Sequence, residues 1–123
     1  MPGIARLTTI VLDCPEPRSL ADFYAALTGW PVVDADDDWV DLADDGAGVR
    51  LAFQRAADYR PPRWPSQEMP QQFHLDLDVD PAELPAAQEK LLGLGATLAD
   101  TQPGTTFRVF LDPVGHPFCL CWG

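Results

Sequence analysis

In residues 73–79, FHLDLDV, the apolar Phe73, Leu75, Leu77 and Val79 alternate with His74, Asp76 and Asp78. That is the period of a strand with one greasy face and one polar face. The same reading along the chain predicts a strand at 5–13 (ARLTTIVLD), then a helix with Pro17 in its first turn and Gly29 at its C-terminal cap. Leu20, Phe23, Tyr24 and Leu27 form that helix's apolar stripe. Short strands follow at 30–35, 39–43 and 49–54, joined by the Asp-rich turns DADDD and DDGAG. Residues 55–70 hold four prolines and no period, so they read as a linker or an edge-hugging loop, whose Tyr59 and Trp64 either fold over something or, as is commoner for aromatic loop residues, just pack on the surface. After the strand at 71–79, Asp80 and Glu83 have the spacing of a capping box, although Pro85 can delay the helix proper to about that residue. Leu84, Ala87, Leu91 and Leu94 supply its stripe. Three more strands are expected at 96–100, 105–112 and 117–122.

Both halves therefore read strand–helix–strand–strand–strand. The landmarks keep a near-constant offset, from Ile10 to Leu75 (65 residues), Gly29 to Gly95 (66) and Leu51 to Leu120 (69). An internal duplication explains this: an α+β fold of two βαβββ modules, about 4–54 and 71–123, joined by the 55–70 linker within a single domain. Neither half alone has the size to bury a sheet face well.

Composition narrows the function. With 46% apolar and 22% charged residues the chain has the balance of a folded domain. No apolar run approaches the roughly 20 residues of a membrane span, and MPGIARL lacks the features of a signal peptide, so a cytoplasmic location is expected. The net charge of −11, from 19 acids against 8 bases, repels phosphate backbones and anionic membranes, so neither nucleic acid nor membrane is an expected partner. Three cysteines without a CxxC make no disulfide framework, and Cys119 and Cys121 share one face of a strand as reduced thiols.

Specific stretches carry a family likeness. LTTIVLDCPEPRSLADFYAALTGW, FHLDLDVD followed by a helix and LGAT, and FLDPVGHPFCLCW resemble in order and spacing the vicinal oxygen chelate superfamily, which includes glyoxalase I and the bleomycin- and fosfomycin-resistance proteins. The resemblance implies two sheets curled into a cup, a homodimer, and metal ligands in the metal-dependent members on the first and last strands of each module. Laid onto this chain those positions are Thr9, Arg50 (or Ala52, with the register off by two), His74 and Cys119. Only His74 keeps a ligand of the family's type. Thr9 is a poor ligand, Arg50 places a permanent charge beside a cation, and His plus Cys falls short of the usual three or four protein ligands. Asp76 is a substitute carboxylate if the site is rearranged. The expectation is no cofactor, with a single divalent metal ion as the alternative.

Period-two alternation puts Thr9, Arg50, Ala52, Gln54, His74, Asp76, Cys119 and Cys121 on the polar faces that line the cup. His74 is read either as a hydrogen-bonded wall residue beside Asp76 or as a catalytic general base. Arg50 either neutralises Asp76 or grips an anionic ligand. Trp39 and Phe110 are candidates for stacking on a ligand, against the commoner fate of strand aromatics in a core. The expected function is small-molecule binding, leaning away from an enzyme. The alternative is a lyase or isomerase of the glyoxalase type, metal-dependent or His-based, acting on a small carbonyl compound.

Overall fold

The computed structural model describes residues 3–44 and 46–123. The chain divides into two compact units, Met1–Tyr59 and Arg60–Gly123, so the division falls inside the 55–70 segment. The first unit runs β1 (Thr9–Cys14), α1 (Pro17–Thr28), β2 (Val32–Ala35), β3 (Trp39–Leu42) and β4 (Arg50–Arg55). The second runs β5 (Leu75–Asp78), a 3-10 turn (Pro81–Glu83), α2 (Leu84–Gly93), β6 (Thr97–Leu98), β7 (Phe107–Leu111) and β8 (Pro117–Cys121). Their sheets have the orders β1-β4-β3-β2 and β5-β8-β7-β6. In each the first strand lies parallel to the last, and the remaining pairs are antiparallel. Each unit is thus a βαβββ module, and the fold is α+β with two four-stranded mixed sheets and two helices. The turn DDGAG includes Asp45, which lies outside the described residues. Among the described residues no helix is long and apolar enough to cross a membrane.

In the first unit α1 buries Leu20, Phe23 and Tyr24 against a sheet face that contributes Leu12, Val40, Leu42, Leu51 and Phe53. Tyr24 stacks on Phe53 at 5.5 Å, and Phe23 meets Tyr24 edge-on at 5.1 Å. Such offset and T-shaped contacts suit the ring quadrupoles. Pro17 lies in the first turn and Gly29 closes the helix, as predicted. The turn before β3 is an Asx turn, in which the Asp36 carboxylate accepts from the N–H groups of Asp38 and Trp39.

In the second unit the Asp80 carboxylate accepts from Ala82 N–H at the 3-10 turn, and α2 proper starts at Leu84, where Pro85 costs no hydrogen bond. Leu84 and Leu91 are buried under α2, whereas Leu94 stands at the helix end and is exposed. β5 is shorter than the alternation predicts. Its pairing with β8 begins at Leu75, so His74 sits just before the strand and Phe73, expected on the greasy face, is exposed. Alternation reports which way side chains point but not where a partner strand ends.

The β7–β8 hairpin is built by one buried carboxylate. Asp112, 3% exposed, accepts from the N–H groups of Val114 and His116 at 2.9 and 3.0 Å. Gly115 has φ +98, and a Cβ built there would lie 2.7 Å from Pro61 Cβ. The hairpin therefore needs glycine both for its backbone and for the close approach of the 60–70 loop. Gly115→Ala is expected to destabilise the protein by about 1–3 kcal/mol, read as a lower midpoint in urea unfolding.

Candidate functional site

The pairing of β5 with β8 is in register Asp76 opposite Cys119 and Asp78 opposite Cys121, and β7 adds Val109 opposite Cys119 and Phe107 opposite Cys121. Directly paired residues share a face, so Asp76, Cys119, Cys121, Val109 and Phe107 all project to the same side. His74, from the segment leading into β5, reaches back to this group with Nε2 3.2 Å from Asp76 Oδ1. A ring nitrogen of His74, a carboxylate oxygen of Asp76 and Cys119 Sγ lie within 4.8 Å of one another.

Asp76 organises the polar part of this group. A carboxylate oxygen of Asp76 lies within 4.8 Å of Cys119 Sγ, and its charge acts on the thiols of both Cys119 and Cys121. Burial first, then the charges of Asp76 and Cys121, push the Cys119 thiol up to about 12. Cys121 moves the same way, through burial and then the charges of Asp76 and Asp78. Both sulfurs therefore favour the neutral thiol more than an ordinary cysteine does, which lowers the fraction of thiolate, the form that attacks and that binds metal.

Beside this group is a cavity of about 190 Å³ lined by Trp64, Gln71, His74, Pro103, Phe107, Val109, Pro117 and Cys119. Its floor is the small cluster of Ala99, Val109 and Cys119, against which Trp64, Phe107 and Cys121 pack. Trp64 is held over the sheet by a knotted turn in which Arg63 N–H donates to Met69 C=O and Ser66 N–H to Arg63 C=O, each at 2.7 Å. Phe107 owes its position to Gly104, where a Cβ would come within 2.0 Å of the ring. Gln102 clamps Val109 by donating to its C=O and accepting from its N–H at 2.8 and 2.9 Å. The side-chain oxygen of Gln71 is buried with no hydrogen-bond partner.

The structure thus brings together His74, Asp76, Cys119 and Cys121. Phe110 is on the opposite face of β7, fully buried and stacked on Phe118 at 5.6 Å, so it serves the core and offers no surface for stacking on a ligand. Thr9, Arg50, Ala52, Gln54 and Trp39 belong to the first unit, where the pairings Thr9–Arg50 and Trp39–Gln54 put them on one sheet face. Ala52 is buried there. Asp41 holds two of the others, accepting from Trp39 Nε1 at 2.7 Å and pairing with Arg50 Nη1 at 3.4 Å. The partner that Arg50 takes is thus Asp41, on the adjacent strand of its own unit. Trp64, Gln71, Phe107 and Val109 are cavity residues that the sequence reading leaves out. For Phe107 and Val109 the signal is present, since alternation along β7 places them on the face opposite to Phe110.

Two βαβββ modules, each with its first strand parallel to its last, define the fold in which this cavity lies. The model of the glyoxalase-like domain matches residues 9–121, and the chain belongs to that family. No curated protein sequence matches significantly. Among solved structures, a glyoxalase/bleomycin resistance protein/dioxygenase family enzyme from Burkholderia phytofirmans PsJN is similar with a TM-score of 0.73 at 17% identity, covering 94% of this chain and 97% of that one. A glyoxalase-related enzyme from Fulvimarina pelagi gives 0.71 at 20% identity, covering 98% and 89%. A mutant of the fosfomycin resistance protein FosX from Listeria monocytogenes, complexed with Mn(II) and 1S,2S-dihydroxypropylphosphonic acid, gives 0.75 at 16% identity, covering 98% and 94%. At these identities the likeness shows the fold.

Within the second unit, the donor set of His74, Asp76 and Cys119 is mixed, since a thiol suits soft ions rather than hard, oxygen-seeking ones. His74 and Asp76 already sit at ligand spacing, but Cys119 would first have to lose the proton that burial and Asp76 hold on it.

The raised thiol also links stability to pH. Its pKa is higher folded than unfolded, so the stabilisation is complete below the ordinary value of 9.0 and is lost as pH climbs toward about 12. Thermal melts should fall steadily above pH 9, and Cys119→Ala should flatten that fall.

Proposed function

We propose that this glyoxalase-like chain binds a small organic molecule in the cavity beside His74 and does so without a resident metal. The cavity itself is the observation that carries the reading. It is walled mainly by Trp64, Pro103, Phe107, Val109 and Pro117, with a few polar groups at its edge, the usual make-up of a ligand pocket. The neutral Cys119 thiol adds a polarisable contact suited to a ring edge. Asp76 is engaged with both thiols and with His74, which favours a fixed wall over a reactive centre.

A second reading has its own support. His74 and Asp76 at 3.2 Å form a pair that could act as a general base, and together with Cys119 they would supply a rearranged three-ligand set for a thiophilic ion. On that reading the chain is a lyase or isomerase acting on a small carbonyl compound.

Metal analysis and fragment binding separate the two. The binding reading predicts purified protein with far less than one metal per chain. It also predicts that neutral monocyclic fragments, screened by NMR, shift the amides of Trp64, Phe107 and Val109. Trp64→Ala should weaken those fragments about tenfold, equivalent to about 1.4 kcal/mol. Stoichiometric zinc that disappears in both His74→Ala and Cys119→Ala would overturn the metal-free reading.

A further inference from the structure

Phe107 holds its place on the cavity wall because residue 104 has no side chain. A Cβ at Gly104 would run into the Cδ1, Cε1 and Cζ atoms of the Phe107 ring. Gly104 is not among the glycines with positive φ, so its backbone alone does not call for glycine. The requirement comes from the ring. The segment that carries Gly104 is in turn fixed to β7. Gln102 Nε2 donates to Ala99 C=O at 2.9 Å and to Val109 C=O at 2.8 Å, while Gln102 Oε1 accepts from Val109 N–H at 2.9 Å. Pro103, whose φ is locked, joins this clamp to Gly104 and itself lines the cavity. A side chain at 104 would therefore displace the Phe107 ring rather than the segment.

The space that the ring borders is small. A cavity of about 190 Å³ is slightly larger than the apolar cavity of about 150 Å³ that takes up benzene in another protein, so it has room for one ring and not for two fused ones. The other large apolar ring on the wall, Trp64, comes from a loop. Phe107 stands on a paired strand opposite Cys121, which makes it the more rigid boundary.

We infer that Phe107 and Gly104 together set the size of the ligand: the ring, seated against the bare backbone of Gly104, leaves space for a single six-membered ring and bars a fused bicycle. Phe107 touches the ligand, and Gly104 is a positioning residue that acts through it. This inference rests on the binding reading above and adds its size limit and the residues that impose it.

Benzyl alcohol and 2-naphthalenemethanol test it, because both are neutral, carry the same hydroxymethyl group and differ by one fused ring. Dissociation constants of the full-length protein are measured by NMR titration for the wild type, Phe107→Leu, Gly104→Ala and the double variant. The wild type is expected to bind benzyl alcohol about tenfold more tightly than the naphthalene compound, the lower part of the range for a pocket that excludes extra bulk. Phe107→Leu is expected to erase that preference while still binding benzyl alcohol, which also shows that the variant is folded. Gly104→Ala is expected to weaken benzyl alcohol about tenfold by overpacking, and the double variant to recover the loss. Recovery is the mark of action through the ring, because independent sites would simply add. Equal affinities in the wild type, a preference unchanged in Phe107→Leu, or a loss in Gly104→Ala that the double variant does not recover would overturn the inference and leave the binding reading standing. Failure of the wild type to bind either compound would overturn both.

Discussion

The parallel pairing of β5 with β8 is the contact on which the site depends. It sets Asp76 directly opposite Cys119, with Cys121 one step along the same face. No hairpin can join parallel strands, so the chain must leave β5 through α2 and return through β6 and β7 before β8 can take its place. That detour is what puts Phe107 and Val109 on the cavity wall. Asp76 thereby lies beside two thiols and an imidazole at once, and burial first, with this carboxylate after it, favours the protonated form of the sulfurs.

The repeated module makes the comparison between units informative. In the first unit the same parallel pairing sets Thr9 opposite Arg50, and the neighbouring carboxylate, Asp41, is taken up by Arg50 and Trp39. In the second it sets Asp76 opposite Cys119. The constant offset of the repeat would have matched Thr9 to His74 instead. The two assignments differ by two residues, and an even shift leaves every side chain on its own face. That is why face assignments survive while the partner of Cys119 changes.

Much of the fold is legible in the sequence because it follows from local rules. Alternation and helical stripes mark both βαβββ modules, and the positions of Pro17, Gly29, Asp80 and Pro85 fix the helix ends. Strand lengths are less legible. His74 falls outside β5 and Phe73 is exposed because the ladder starts at Leu75, a property of the β8 partner and not of the FHLDLDV pattern. The polar members of the site, His74, Asp76 and Cys119, are visible as same-face residues. Of its apolar wall, Phe107 and Val109 follow from alternation along β7, but Trp64 does not, because it is delivered by a proline-rich loop whose path is set by hydrogen bonds between Arg63, Ser66 and Met69. Phe110 misleads for a plainer reason: aromatic residues on both faces of β7 look alike until one is paired with a core residue, here Phe118.

The central claim is that burial and Asp76 together hold Cys119 as a neutral thiol in the cavity wall. Site-resolved titration of the three cysteines by 13Cβ NMR tests it most directly, in the wild type and in Asp76→Asn. The account predicts that Cys119 stays protonated well above the ordinary value of 9.0, and that Asp76→Asn brings its midpoint down without fully restoring that value, since burial remains. Ionisation of wild-type Cys119 near the ordinary value, or a midpoint indifferent to Asp76→Asn, would contradict it.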